Sequence, residues 1–151
     1  MSTPHTILVP TDFTEPSDLA LLYAEDLAER LDADIVLLHV SEVPTIGIVD
    51  PPGMVTRDLV NSMEEVSVRG LERLLEKHQR PGLNIRTMVK VGDTVQQIGE
   101  AAEEVGADLI CMGTHRRSGL RRALLGSTAE LLVRKSNVPV LMIKEPPPAE
   151  A

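Results

Sequence analysis

The chain has 151 residues and a formal net charge of −8 at pH 7, with 42% hydrophobic and 25% charged residues. That length fits one domain with a substantial core, and no apolar run approaches the roughly 20 residues that cross a bilayer. An acidic balance with only Phe13 and Tyr23 as aromatic residues argues against the stacking platforms and phosphate-tracking surfaces of nucleic-acid binders.

The N-terminus passes directly into a short apolar strand, Thr6–Pro10, with no charged segment and long apolar stretch ahead of it. No secretory signal is expected, and the cytoplasm is the expected location. Thr11, Asp12, Phe13 and Thr14 form the turn that follows. Thr14, with Pro16 in the first turn, starts a helix that carries Ala20, Ala24, Leu27, Ala28 and Leu31 at three- and four-residue spacing. Residues 35–40 are a second strand, apolar enough to be covered on both faces as parallel strands are. A right-handed crossover is thereby implied.

Residues 42–53 hold Pro44, Gly47, Pro51, Pro52 and Gly53 and read as a loop. A long amphipathic helix is expected over 55–79, with Leu59, Met63, Val66, Gly70 and Leu74 at helical spacing, and Pro81-Gly82 to stop it. Residues 83–91 alternate as a third strand. Gly92-Asp93 with Gln96 predicts a turn and a capped helix, Thr94–Val105, which Gly106 ends in the left-handed conformation. An internal echo links the two halves: Ala28 to Ile35 and Ala102 to Leu109 share a phrase that leaves a helix and enters a strand through Ala-Asp.

The fourth strand follows, and its Cys111, the single cysteine, reads as a buried inert thiol. From Gly113 to Thr128 the chain crosses a loop rich in glycine and arginine, with His115, Arg116, Arg117, Arg121 and Arg122. Positive charge concentrated inside an acidic protein suggests a small anionic ligand. Ser127 with Glu130 three residues on reads as a capping box. The backbone amides of Gly126, Ser127 and Thr128 would then lie at a helix N-terminus, which attracts anions. That helix is expected to run to Ser136, with a fifth strand over 138–143, from Val138 to Ile143. The Pro-rich tail, 145–151, is expected to be disordered. Strands alternating with helices define an α/β protein with a single doubly wound parallel sheet of five strands and four helices, whose ligand crevice opens beyond the carboxyl ends of the strands.

The glycine loop is similar to the nucleotide-binding signature of the universal stress proteins: Gly, two residues, Gly, nine residues, then Gly-Ser or Gly-Thr around an ATP triphosphate. Gly113 and the pair Gly126-Ser127 match it, and Arg116 stands at the middle glycine. The resemblance extends from the opening phrase, residues 7–12, through Leu38-His39-Val40 to residues 138–142, so residues 1–144 form the family domain. It implies strand order 3-2-1-4-5, a Rossmann-like fold of the adenine-nucleotide α-hydrolase kind, and a homodimer through the strand over 138–143. By position it implies that Pro10, Thr11 and Asp12 line the adenosine end and that Val40 meets the base. Met112 and Gly113 would flank ribose and phosphates, His115 and Arg116 stand in the loop, and Gly126, Ser127 and Thr128 donate to phosphate oxygens.

The implied function is a cytoplasmic stress-response protein that binds ATP or a related adenine nucleotide, with or without magnesium, as a regulatory signal. The alternative is a dimeric interaction module of the same fold that has lost nucleotide binding through Arg116, a residue that either blocks the triphosphate, as this alternative requires, or swings out and supplies it with a guanidinium. Residue by residue, plainer roles compete: Asp12 as an Asx-turn residue, Val40 as core, and His39 as a core or rim histidine rather than a metal ligand. No motif for an efficient phosphotransferase or hydrolase is present, so no catalytic residue is assigned, and slow ATP hydrolysis is the most that is expected. No metal site, nucleic-acid partner or membrane insertion is expected.

Overall fold

The central strands are apolar on both faces because helices cover the sheet from both sides. The structure, a computed structural model, describes residues 3–43, 57–78, 80–114 and 125–146. The order is β1 (Thr6–Pro10), α1 (Glu15–Leu31), β2 (Asp34–Ser41), α2 (Arg57–Lys77), β3 (Ile85–Val91), α3 (Thr94–Val105), β4 (Leu109–Thr114), α4 (Ser127–Lys135) and β5 (Val140–Lys144). All strand pairs are parallel and the sheet runs β3-β2-β1-β4-β5, the order implied by the family resemblance.

Alternation along the strands sorts the core into two layers. Ile7 and Val9 of β1, Ile35 and Leu37 of β2 and Cys111 of β4 pack under α1 and α2, against Ala20, Leu21, Ala24, Leu71 and Leu74. Leu8, Val36, Leu38, Ile110 and Met112 face the other way, against Ile98, Ala101 and Ala102 of α3 and Ala129 and Leu132 of α4. Full burial of a side chain such as Ile7, Leu8 or Ile35 contributes about 2 kcal/mol. Since β2 and β4 flank β1 on opposite sides, the connections diverge between β1 and β4, and a crevice opens at their carboxyl ends.

The internal echo has a structural counterpart. Asp32 at the end of α1 and Gly106 at the end of α3 both adopt the left-handed conformation, with φ of 54° and 62°. The next residue turns back in each case, Ala33 N–H to the Ala28 carbonyl at 3.0 Å and Ala107 N–H to the Ala102 carbonyl at 2.8 Å. Both chains then enter β-strands that flank β1: Asp34 N–H reaches His5 O and Asp108 N–H reaches Thr6 O. The Asp108 carboxylate accepts from the amides of His5 (2.8 Å) and Thr6 (3.0 Å). Those two hydrogen bonds hold its carboxyl below the ordinary range.

Several expected boundaries move. The third strand begins at Ile85 rather than Leu83, and the fifth runs over Val140–Lys144. The last helix closes at Ser136, whose hydroxyl accepts from Val138 N–H at 3.0 Å. Residues 55, 56 and 79 of the expected second helix, the loop from 44 and the tail from 147 lie outside the described residues. The expected capping box at α4 does not form. Gly126, extended at φ −62° and ψ 161°, takes the cap position, which moves Ser127 inside the helix where its hydroxyl no longer reaches the first-turn amides. Glu130 pairs instead with Arg134 at 2.7 Å. The cap expected at α3 does form, with the Asp93 carboxylate accepting from Gln96 N–H at 2.9 Å.

Candidate functional site

A cavity of about 430 Å³ occupies the crevice between β1 and β4. It gathers Pro10, Thr11 and Asp12 from the end of β1, Val40 from β2, Met112 and Gly113 from β4, and Gly126, Ser127 and Thr128 from the start of α4. These are nine of the expected site residues, drawn from four separate stretches of chain. His115 and Arg116, with the neighbouring arginines, lie outside the described residues. Sequence reasoning missed Ser17, Leu38, Thr94, Ile98, Thr114 and Ala129, which also line the cavity. A signal existed for Thr94 and Ile98, since the helix after β3 must begin at the same sheet end as the crevice.

The turn after β1 is fixed by side chains. Thr11 is buried, and its N–H donates to the Leu38 carbonyl at 2.8 Å. Its hydroxyl accepts from Phe13 N–H at 3.0 Å and lies 3.1 Å from the Ser17 hydroxyl, which donates to the Thr14 carbonyl at 2.8 Å. Because the Ser17 proton is committed to that carbonyl, the Thr11 proton points to Ser17. The Asp12 carboxylate accepts from Thr14 N–H at 3.1 Å and from the Thr14 hydroxyl, which is the Asx-turn geometry, while the residue remains exposed at the cavity.

Behind this turn Phe13 adopts φ 63°, an uncommon conformation for an aromatic residue. Its ring lies 4.4 Å from the His39 ring, centroid to centroid, and covers Gly70 of α2, where a Cβ would come within 2.7 Å of the Phe13 ring tip. His39 Nδ1 donates to the Thr11 carbonyl at 2.8 Å. A carbonyl only accepts, so the proton sits on Nδ1. His39 is therefore a brace for the turn, in keeping with a rim histidine.

The two motif glycines meet different surroundings. A Cβ on Gly113 would stand 2.2 Å from the Pro16 carbonyl oxygen, so β4 and the first turn of α1 approach too closely for a side chain. Among the described residues a Cβ on Gly126 would meet nothing within 4 Å, and its φ of −62° suits any residue. Neither packing among the described residues nor backbone conformation demands glycine there, and the cavity lies beside it. The Gly126 carbonyl accepts from Glu130 N–H at 2.9 Å, while the amides of Ser127, Thr128 and Ala129 have no acceptor among the described residues. The cavity is thus lined by the apolar side chains of Leu38, Val40, Ile98 and Met112 and by the start of a helix. The sole carboxylate lining it among the described residues is Asp12, and these residues hold no group of His, Cys, Asp and Glu arranged for a metal. Cys111, on β4 and facing away from the cavity toward α1, is fully buried, and burial pushes its thiol up to about 12.

Fold and cavity together define a doubly wound α/β protein with a crevice at the point where its strand order reverses. The chain belongs to the universal stress protein family, whose model matches residues 4–144. It is 33% identical to universal stress protein MJ0531 of Methanocaldococcus jannaschii over 93% of this chain and 82% of that protein. The solved structure of MJ0577, a universal stress protein of the same organism, covers 96% of this chain at 30% identity with a TM-score of 0.78, over 99% of its own length. A universal stress protein family structure from Burkholderia pseudomallei covers 95% of this chain at 31% identity with a TM-score of 0.71, over 98% of its own length. Among the described residues, no helix is long and apolar enough to cross a membrane.

Proposed function

We propose that the cavity binds ATP or a related adenine nucleotide, and that occupancy serves as a regulatory signal in a cytoplasmic stress response. The observation that carries this reading is that one 430 Å³ cavity is lined both by apolar side chains and by a helix N-terminus, with a glycine beside it that no described residue crowds. A base belongs at Leu38, Val40, Ile98 and Met112, and a phosphate chain at the amides of Ser127 to Ala129, where the helix dipole favours anions. Asp12, exposed at the cavity beside β1, is placed for ribose hydroxyls or for magnesium held by the phosphates. With a single carboxylate among the described lining residues, the site suits retention better than turnover, so nucleotide biases conformation or assembly through unequal affinity for two states.

Isothermal titration of the protein with ATP and magnesium, beside an Arg116→Gly variant, tests this. Binding by the native protein supports the reading. Binding by the glycine variant alone would mean a pocket closed by Arg116 and a protein that works through its surfaces; silence in both removes nucleotide binding.

Assembly is part of the same proposal. β5 is an edge of the sheet, with Val140, Leu141 and Met142 only partly covered, and Leu131 and Val133 of the adjacent α4 are exposed. An apolar edge strand of this kind favours pairing with a second copy. A homodimer through β5 is expected, and a monomeric mass by light scattering at micromolar concentration would refute it.

A further inference from the structure

We propose that Thr94, polarised by Glu42, makes the base end of the cavity selective for a purine with an amino group at position 6 over one with a keto oxygen; this rests on the nucleotide reading above. Thr94 lies one turn before Ile98 on the same face of α3, and both line the cavity. Ile98 is buried beside Val40, Leu38 and Met112, which form the apolar layer a base would enter, so the Thr94 hydroxyl stands at the outer margin of that layer.

The hydroxyl is not free to choose its polarity. Its oxygen lies 2.6 Å from Oε1 of Glu42, the residue that follows β2. The backbone sets this pairing: Ser41 and Val91 are in register, and Gly92 N–H donates to the Ser41 carbonyl at 3.0 Å, which brings the exit of β2 beside the start of α3. An ionised carboxylate only accepts, so the Thr94 proton is committed to Glu42 and its oxygen offers lone pairs. The Thr94 oxygen, which stands at this margin, therefore accepts, and Glu42 behind it fixes that polarity. An exocyclic amino group supplies the matching N–H, whereas a keto oxygen would place lone pair against lone pair and leave polar groups unsatisfied. The Glu42 charge also disfavours a phosphate chain at this end, which fixes the direction in which a nucleotide lies.

The test compares ATP with inosine triphosphate, whose base carries a keto oxygen for the amino group at position 6 and, with it, a hydrogen on ring N1. Affinities are measured by calorimetry for the native protein, Thr94→Val and Glu42→Gln, all carried in the Arg116→Gly background if that change proves necessary for binding. The native site should prefer ATP by about tenfold. Thr94→Val keeps the shape, loses the acceptor, and should bring the two ligands within about threefold of each other. Glu42→Gln can donate to Thr94 and turn the hydroxyl proton toward the cavity, so the ratio should move toward inosine triphosphate. Equal affinity of the native site for the two ligands overturns the inference, as does a preference for ATP that both variants retain in full. Absence of binding by either nucleotide, with or without Arg116, is a different result: it overturns the nucleotide reading itself and this inference with it.

Discussion

Replacing Gly113 with alanine adds one methyl group, and the structure says where it lands. The new Cβ would stand 2.2 Å from the Pro16 carbonyl oxygen, 2.5 Å from its carbon and 3.1 Å from the Ser17 nitrogen, all backbone atoms. An ordinary contact lies at about 3.5 Å, so β4 and the first turn of α1 must separate by more than about 1 Å. No rotamer change can relieve the clash, and the elements that must move carry buried residues, among them Ala20, Leu21, Ile110 and Cys111. Overpacking of a tight core costs about 1–3 kcal/mol, and a clash against backbone belongs at the upper end. For a domain of this size that lowers the melting temperature by roughly 4–12 °C. Two controls bracket the measurement by circular dichroism. Gly126→Ala meets no atom of the described residues within 4 Å and changes a helix cap, a cost of at most about 1 kcal/mol. Gly99→Ala sits inside α3 with open space around it and should raise stability by about 0.5–1 kcal/mol. A Gly113→Ala melting curve within a degree of the native one would refute the argument from close approach.

Three further outcomes are expected. Cys111 should stay unlabelled by an aromatic disulfide reagent at pH 8 in the native state and react fully in denaturant, since burial holds its thiol at about 12; fast native labelling would contradict its burial. Glu25 of α1 and His78 after α2 form a buried pair at 3.2 Å, and burial raises the Glu25 carboxyl above 4.5 against the opposing pull of His78 and Arg80. An acid raised by folding contributes stability below its unfolded value and loses it as pH rises through the folded one. Glu25→Gln should therefore gain on the native protein as pH rises above 4.5 toward neutrality, and parallel urea-denaturation curves across that range would count against it. Gly70→Ala would bring a Cβ within 2.7 Å of the Phe13 ring tip. The ring can tilt, so the stability cost should be smaller than at Gly113, about 1 kcal/mol, but the brace on Thr11 and Asp12 loosens and ATP affinity should fall; unchanged affinity would mean that the turn holds without its ring.

The elements were legible wherever local chemistry decides the conformation. Asp93 caps α3, Gly106 ends it, and Thr14 precedes α1 with Pro16 in its first turn, as spacing and residue type require. Where two residues competed for one role, the sequence pointed to the wrong one. Ser127 is the better cap by side chain, yet Gly126 takes the position because the extended backbone leaving the loop reaches it first. Asp32 adopts the left-handed conformation that Gly106 adopts in the matching phrase, and only the shared Ala-Asp sequence after each hints at it. The site divided in the same way. Residues inside motifs could be named, whereas Ser17, Thr94 and Ile98 enter the cavity through packing of α1 and α3 against the sheet, which no local pattern records.

Most opaque to sequence was the reason for each glycine. Gly113 and Gly126 belong to one spaced pattern, and a pattern alone suggests that both admit phosphate. Yet the Pro16 carbonyl already occupies the space beside Gly113, while no described residue fills the space beside Gly126, which lines the cavity. On the proposed nucleotide reading, the first glycine is then a condition for folding the site, and the second a condition for filling it. The two alanine variants should consequently fail in different assays: Gly113→Ala in thermal stability, and Gly126→Ala in nucleotide affinity with stability nearly kept. A loss of affinity at Gly113 with no loss of stability, or intact affinity at Gly126, would reverse that division of labour.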